Sequence, residues 1–249
     1  KMQLLLSTAQ QSADSERAAI NLLIERRCQA IVLHSKKIPD SELIDLCEKI
    51  PGLILIDRMI EGIKDKCVWL DNEEGGKIAA RHLMALGHKN VACISSKYQI
   101  EDPTLRLAGF ETELKNSDYN MLPQLVEYGE PTLQGGEIAT QKLLASGRKF
   151  SAIFAYNDAM AIGAISTLED NGFSVPNDIS VIGFDDVLLS SYSRPKLTTL
   201  NYPIEEMARQ AANLALQIAN SNKPSIDHTQ LKYVPRLVKR ESTSSHNNK

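Results

Sequence analysis

Short apolar runs alternate with amphipathic stretches along almost the whole chain, and few architectures accept that order. The runs are QLLLS (3–7), AIVLH (30–34), GLILI (52–56), CVWL (67–70), NVACI (90–94), SAIFAY (151–156) and DISVIGF (178–184), with KLTTL (196–200) and KYVPRLV (232–238) near the end. Each is strand-length and reads as a buried strand. Between them, Ile78, Ala79, His82, Leu83 and Leu86 share one helical face, and Met160, Ala161, Ala164, Ile165 and Leu168 share another. A third face collects Ile204, Met207, Ala208, Ala211, Leu214, Ala215 and Ile218 at i, i+3, i+4 spacing. Asp71 with Glu74 reads as a capping box, and Leu86-Gly87 and Asn171-Gly172 read as left-handed helix stops. Strand, helix, strand, helix predicts an α/β protein with parallel sheets and helices on both faces.

Bulk properties narrow the function classes. A chain of 249 residues makes one large or two small domains. A net charge of −3 gives no global attraction to nucleic acid or to an anionic membrane. No apolar run approaches the roughly 18 residues that span a bilayer. The cysteines at 28, 47, 67 and 93 have neither Cys-x-x-Cys spacing nor a regular repeat. Buried free thiols are therefore expected, with no zinc site, in a reducing, cytoplasmic compartment. The chain opens on KMQLLLST with no initiator methionine or signal peptide, which reads as a start inside a domain, and its polar end STSSHNNK is expected to fray.

Ligands of open parallel sheets bind beyond the strands' carboxyl ends, so the residues just after each run carry the chemistry. Asp57 and Arg58 follow LILI, Asp71 follows CVWL, Asn157 and Asp158 follow AIFAY, and Asp185 and Asp186 follow VIGF. No glycine-rich phosphate loop, Walker lysine, Gly-x-Ser-x-Gly or His-Glu-x-x-His is present, and His82 and His88 read as structural. Neighbours on a strand point to opposite faces, so Asp185 and Asp186 make a poor metal clamp. One is expected to face the crevice and the other to cap the next helix; the alternative is that both are caps. Carboxylates and amides with a cation such as Arg106 suit a polyol, whose hydroxyls donate to Asp and accept from Asn or Arg. Arg106 reads equally as a surface helix arginine.

LDNEEGGKIAARHLMALGHKNVACI, RLAGF, AIFAYNDAMAIGAI, NGFSVPNDISVIGFDD, RPKLTTLNYPIEEMARQAA and LVKREST follow one another in order. Together they resemble the effector-binding core of the lactose/galactose repressor family of bacterial transcription regulators. RRCQAIVLHSKKIPDSEL and GFDDVLLSSYSRPKLTTLNYPI look most like its galactose repressor and isorepressor branch. The resemblance implies a periplasmic-binding-protein-like α/β fold, with two doubly wound parallel-sheet subdomains joined by crossover strands. The N-terminal subdomain would take 1–70 plus 203–226 and the C-terminal one 71–202 plus 227–241, leaving 242–249 as a flexible tail. The resemblance further implies that Arg106 grips ligand oxygens, that Asn157 and Asp185 bond hydroxyls, that Asp57 lines the opposite wall, and that Tyr202 sits at a crossover. Asp158 would cap its helix. Trp69 matches a position near the pocket and fits core packing equally well.

The expectation is a sugar-responsive repressor core that binds D-galactose or a close hexose. It would form a homodimer and need neither cofactor nor metal. Operator DNA would be reached only through a helix-turn-helix headpiece that has no counterpart in these residues. The rival is a periplasmic sugar-binding protein of a transporter, and a third reading is a small sugar-acting enzyme with Asp185 as base. No matched acid/base pair supports the last, so the chain is expected not to be an enzyme.

Overall fold

The computed structural model describes residues 3–9, 12–117, 119, 121–220 and 231–246. The chain divides into two compact units, Lys1–Leu70 with Pro203–Tyr233 and Asp71–Tyr202 with Val234–Lys249. The expected boundary at 226/227 lies outside the described residues.

In the first unit the elements run α1 (Ala13–Glu25), β1 (Ile31–Leu33), α2 (Asp40–Lys49), β2 (Leu53–Ile56) and β3 (Cys67–Leu70). In the second they run α3 (Asn72–Ala85), β4 (Val91–Ser96), α4 (Glu101–Asn116), β5 (Val126–Gly129), α5 (Leu133–Ala145), β6 (Ala152–Ala155), α6 (Asp158–Asp170), β7 (Ser180–Ile182), α7 (Leu188–Tyr192) and β8 (Thr199–Asn201). The chain then returns to the first unit with α8 (Ile204–Asn220) and β9 (Lys232–Tyr233), and β10 (Arg236–Val238) ends the second.

The first unit holds a sheet in the order β1-β2-β3-β9, parallel throughout. Every residue of β2 is buried, and α8 packs on β1, β2 and β3 through Met207, Ala211, Leu214 and Ala215. The second unit's sheet has the order β5-β4-β6-β7, also parallel. Its strand order reverses between β4 and β6, and such a reversal opens a crevice at the carboxyl ends of those strands. A separate antiparallel pair, β8 with β10, lies where the chain leaves this unit and where it comes back.

Most expected strands are present, shortened at their ends. QLLLS is not: Leu4 is 92% and Leu6 87% exposed, and residues 3–7 form no strand. An apolar run becomes a strand only where another backbone pairs with it, and no ladder is formed with this one among the described residues. Conversely, β5 was not expected, because VEYG is a half-exposed edge with no apolar run.

The expected flexible tail also needs correction over 242–246; residues 247–249 lie outside the described residues. Ser242 is fully buried, donates to the Val181 carbonyl at 2.6 Å and accepts from the Thr198 amide at 2.8 Å. Ser244 donates from its Oγ to the Pro176 carbonyl, and the His246 amide donates to Leu86. The hydroxyls that made this end look soluble satisfy buried backbone groups instead.

Two histidines hold the same segment. His82 lies 3.0 Å from Thr243 Oγ1; His88 contacts the Ser244 carbonyl and Ser151 Oγ and stacks on His246. Burial pushes both imidazoles down to about 4. An unfolded chain would take up these protons near pH 6.5, so the native state binds fewer protons between the two values. Stability is therefore full above pH 6.5 and falls as pH drops towards 4, by at most roughly 1.4 kcal/mol per pH unit per histidine. Melting curves at pH 7.5, 6, 5 and 4.5 should show this fall, and a His82→Gln, His88→Gln double variant should show a shallower one. Parallel curves for the two proteins would exclude the histidines as the cause.

Candidate functional site

The second unit gathers charged and amide side chains beyond its strand ends. Arg106, on the second turn of α4, is only 4% exposed. Its Nε donates to Asn72 Oδ1 at 2.8 Å, and its Nη1 donates to the Tyr156 carbonyl at 2.8 Å. The same Nη1 reaches Asp185 Oδ1 at 3.4 Å. The guanidinium lies 3.5 Å from the centre of the Phe184 ring and 4.7 Å from that of Tyr156. A buried cation held by two hydrogen bonds between two aromatic rings is fixed in place before any ligand arrives. The surface-arginine alternative is therefore excluded.

Close helix packing places Arg106. Residues of α3 and α4 approach at two glycines, Gly76 and Gly109. A Cβ on Gly76 would overlap the Arg106 carbonyl oxygen, and one on Gly109 would overlap that of Glu73. Asp71 caps α3 by accepting from the Glu74 amide at 2.9 Å, as the capping pattern implied. That cap sets Asn72 at the first turn, where it meets Arg106.

Asn157 is the cap of α6. Its Oδ1 accepts from the Met160 amide at 2.9 Å and its Nδ2 donates to the Pro131 carbonyl at 3.2 Å. A carboxamide has two acceptor and two donor positions, so these bonds orient it and leave one of each by valence. Asp158 was expected to cap this helix and does not. It is fully buried, accepting from Thr199 Oγ1 at 2.5 Å and from the Val187 amide at 2.8 Å. Burial, with Asp185 and Asp186 nearby, pushes its carboxyl up to about 7.

The two adjacent aspartates divide differently from expectation. Both have left-handed backbones, φ 108° at Asp185 and 57° at Asp186. Asp185 turns towards Arg106, while its amide donates to Leu200 and its carbonyl accepts from the Tyr202 amide. Asp186 does not bond the next helix's amides. It takes Arg240 Nη2 at 2.6 Å, Asn201 Nδ2 at 3.1 Å and Ser190 Oγ at 3.3 Å. The Val187 amide, just before that helix, is held by Asp158.

Of the residues singled out from sequence, Arg106, Asn157, Asp185 and Tyr202 thus share one region of the second unit. Asp57 and Trp69 belong to the first. Asp57 follows β2 with φ 59°, is 8% exposed, and pairs with Lys36 Nζ at 2.8 Å; His34 Nε2 lies at 3.4 Å. Trp69 is half-buried on β3, packs on the first unit's core and has Lys232 Nζ 5.1 Å from its ring centre. Sequence reasoning missed Lys36, Asn72, Tyr156, Phe184 and Arg240. Three of these sit one residue from an acid or amide that was singled out, and that adjacency was the available signal; Lys36 and Arg240 gave none. Among the described residues no cluster of three His, Cys, Asp or Glu could hold a metal ion.

A family profile described as a periplasmic binding protein-like domain matches residues 80–243. The chain is 45% identical over 243 residues to the HTH-type transcriptional regulator GalR of Salmonella typhimurium, covering 97% of this chain and 70% of that protein. It is 40% identical over 241 residues to GalS of the same organism, covering 96% and 70%. Among solved structures, a sugar-binding transcriptional regulator of the LacI family from Escherichia coli superposes with a TM-score of 0.90 at 28% identity, over 97% of this chain and 86% of that one.

Proposed function

The chain belongs to the lactose/galactose repressor family of transcription regulators, and from that premise we infer that its effector is D-galactose or a closely related hexose. It has the periplasmic-binding-protein-like fold and is the core of a sugar-responsive regulator. The observation that carries the reading is the Arg106–Asp185 pair, a buried fork donor beside a partly exposed carboxylate. Such a pair offers adjacent ring hydroxyls both a donor and an acceptor. Asn157 adds a second donor and acceptor in the same unit, and Tyr202 lies just past β8, its amide bonded to the Asp185 carbonyl. Sugar would shift the balance between two states of the core, and headpieces joined to the core would read the shift on DNA. No step calls for a cofactor, a metal or a catalytic base, and the protein would work in the cytoplasm. The transporter reading is disfavoured, because the relatives it matches are HTH-type regulators.

A thermal-shift screen of the intact protein with D-galactose, D-fucose, D-glucose and D-ribose tests the ligand. Galactose should raise Tm, since binding only the native state stabilises it. It should also alter retardation of operator DNA in a gel. No shift with any of the hexoses would overturn the assignment.

The protein is also expected to be a homodimer through α6 and residues 189–194. Leu188, Leu189 and Tyr192 are 76%, 56% and 70% exposed on α7, an apolar patch of the kind that two-fold pairing covers. Sedimentation at micromolar concentration should give a dimer, and Leu189→Asp should give a monomer. A monomeric parent protein would refute this.

A further inference from the structure

We propose that Asp186 and Arg240 form a positioning pair that holds Asp185 in its ligand-facing turn and ties that turn to strands β8 and β10. The inference rests on the reading of Asp185 as a sugar contact.

Two successive non-glycine residues with positive φ are unfavourable and persist only where surrounding contacts over-determine them. Here those contacts are specific. The Asp186 carboxylate is held from two strands at once, by Asn201 at the end of β8 and by Arg240 just beyond β10. Both members of the ion pair are 17% exposed in their side chains, so the pair is shielded from solvent. Arg240 is itself anchored, donating to the Leu197 carbonyl at 2.9 Å and to Ser190 Oγ at 3.1 Å. On the other side, Asp158 holds the Val187 amide. The backbone of Asp185 is fastened to the same strand through Leu200 and Tyr202. Asp186 therefore meets no ligand in this arrangement; it fixes the backbone from which Asp185 projects towards Arg106. β8 ends one residue before the chain leaves this unit, and β10 begins shortly after it returns. A change in β8 reaches Asp185 through its own backbone bonds and through Asp186, and a change beyond β10 reaches it through Arg240 and Asp186.

The test is a double-mutant cycle in the intact protein, read by calorimetry with D-galactose and by thermal melting. Asp186→Asn should weaken galactose binding about tenfold, and should weaken it no further in an Asp185→Asn background. The loss of Tm should be the same in both backgrounds, since a purely structural role does not depend on Asp185. Arg240→Lys, which keeps the charge, should retain more affinity than Arg240→Gln. Unchanged affinity in Asp186→Asn, or an equal further loss in the Asp185→Asn background, overturns the proposal. If Asp185→Asn alone binds galactose normally, the sugar-contact reading fails instead. A crystal structure of Asp186→Asn then decides the positioning by itself: Asp185 relaxed to negative φ supports it, and Asp185 unmoved against Arg106 refutes it. Should Asp186→Asn not fold, Asn201→Ala and Arg240→Lys carry the same comparisons.

Discussion

Asp185→Asn should lower the affinity for D-galactose by about 10- to 150-fold, and Arg106→Lys should do the same without removing the charge. A hydrogen bond to a charged group contributes roughly 1.5–3 kcal/mol, which corresponds to that range of fold-changes. Asparagine keeps the size of the side chain but replaces one acceptor oxygen with a donor, so a hydroxyl that donated there meets an N–H instead. The lysine variant asks a different question. Arg106 uses Nε on Asn72 and Nη1 on Tyr156 and Asp185 together, a forked geometry that a single ammonium cannot reproduce. If charge alone held the sugar, lysine would bind nearly as well as arginine. If the fork does, lysine fails. Arg106→Ala is less informative, because it also leaves buried acceptors unpaired and lowers stability. Titration calorimetry decides between these outcomes, and unchanged affinity in both Asp185→Asn and Arg106→Lys would remove the pair from the site.

How far sequence alone reached follows from what each signal encodes. GLILI, NVACI and SAIFAY became strands β2, β4 and β6 because strands covered on both faces must be apolar at every position, and that is visible in one dimension. The α6 face is buried as its periodicity required. VEYG carried no such mark because an edge strand is defined by its single neighbour. QLLLS carried the mark without forming a ladder. The tail shows the converse limit, since whether a run of hydroxyls meets water or buried carbonyls depends on distant backbone. Site residues divided the same way. Asp185 was legible as a polar residue ending a strand, but Arg240, which holds the adjacent Asp186, is 54 positions from it in sequence. Asp158 and Asp186 were misassigned for different reasons: Asn157, one residue earlier, takes the cap of α6, and two residues of positive φ turn Asp186 away from the next helix.

Gly76→Ala should destabilise the protein by roughly 1–3 kcal/mol and weaken sugar binding as well. Helix propensity predicts the opposite sign, because alanine in a helix interior is favoured over glycine by about 1 kcal/mol. Packing decides against propensity here. The added Cβ would overlap the Arg106 carbonyl oxygen and crowd the Phe110 amide, which are backbone atoms of α4 and cannot swing aside as a side-chain tip would. Relief requires α4 to move away from α3, and Arg106 moves with it, off Asn72 and away from Asp185. Stability and affinity should therefore fall together, whereas a core cavity far from the site would cost stability alone. Gly109→Ala, which overlaps the Glu73 carbonyl from the opposite helix, should behave in the same way. Gly62→Ala is the control. Its nearest neighbour would be the Ile44 side chain at 3.3 Å, which can shift, so its effect should stay within about 0.5 kcal/mol. Denaturant melts combined with galactose titration read both quantities. A Gly76→Ala protein as stable as its parent would show that α3 and α4 need not approach so closely. One that is destabilised but binds galactose normally would show that the approach does not place Arg106.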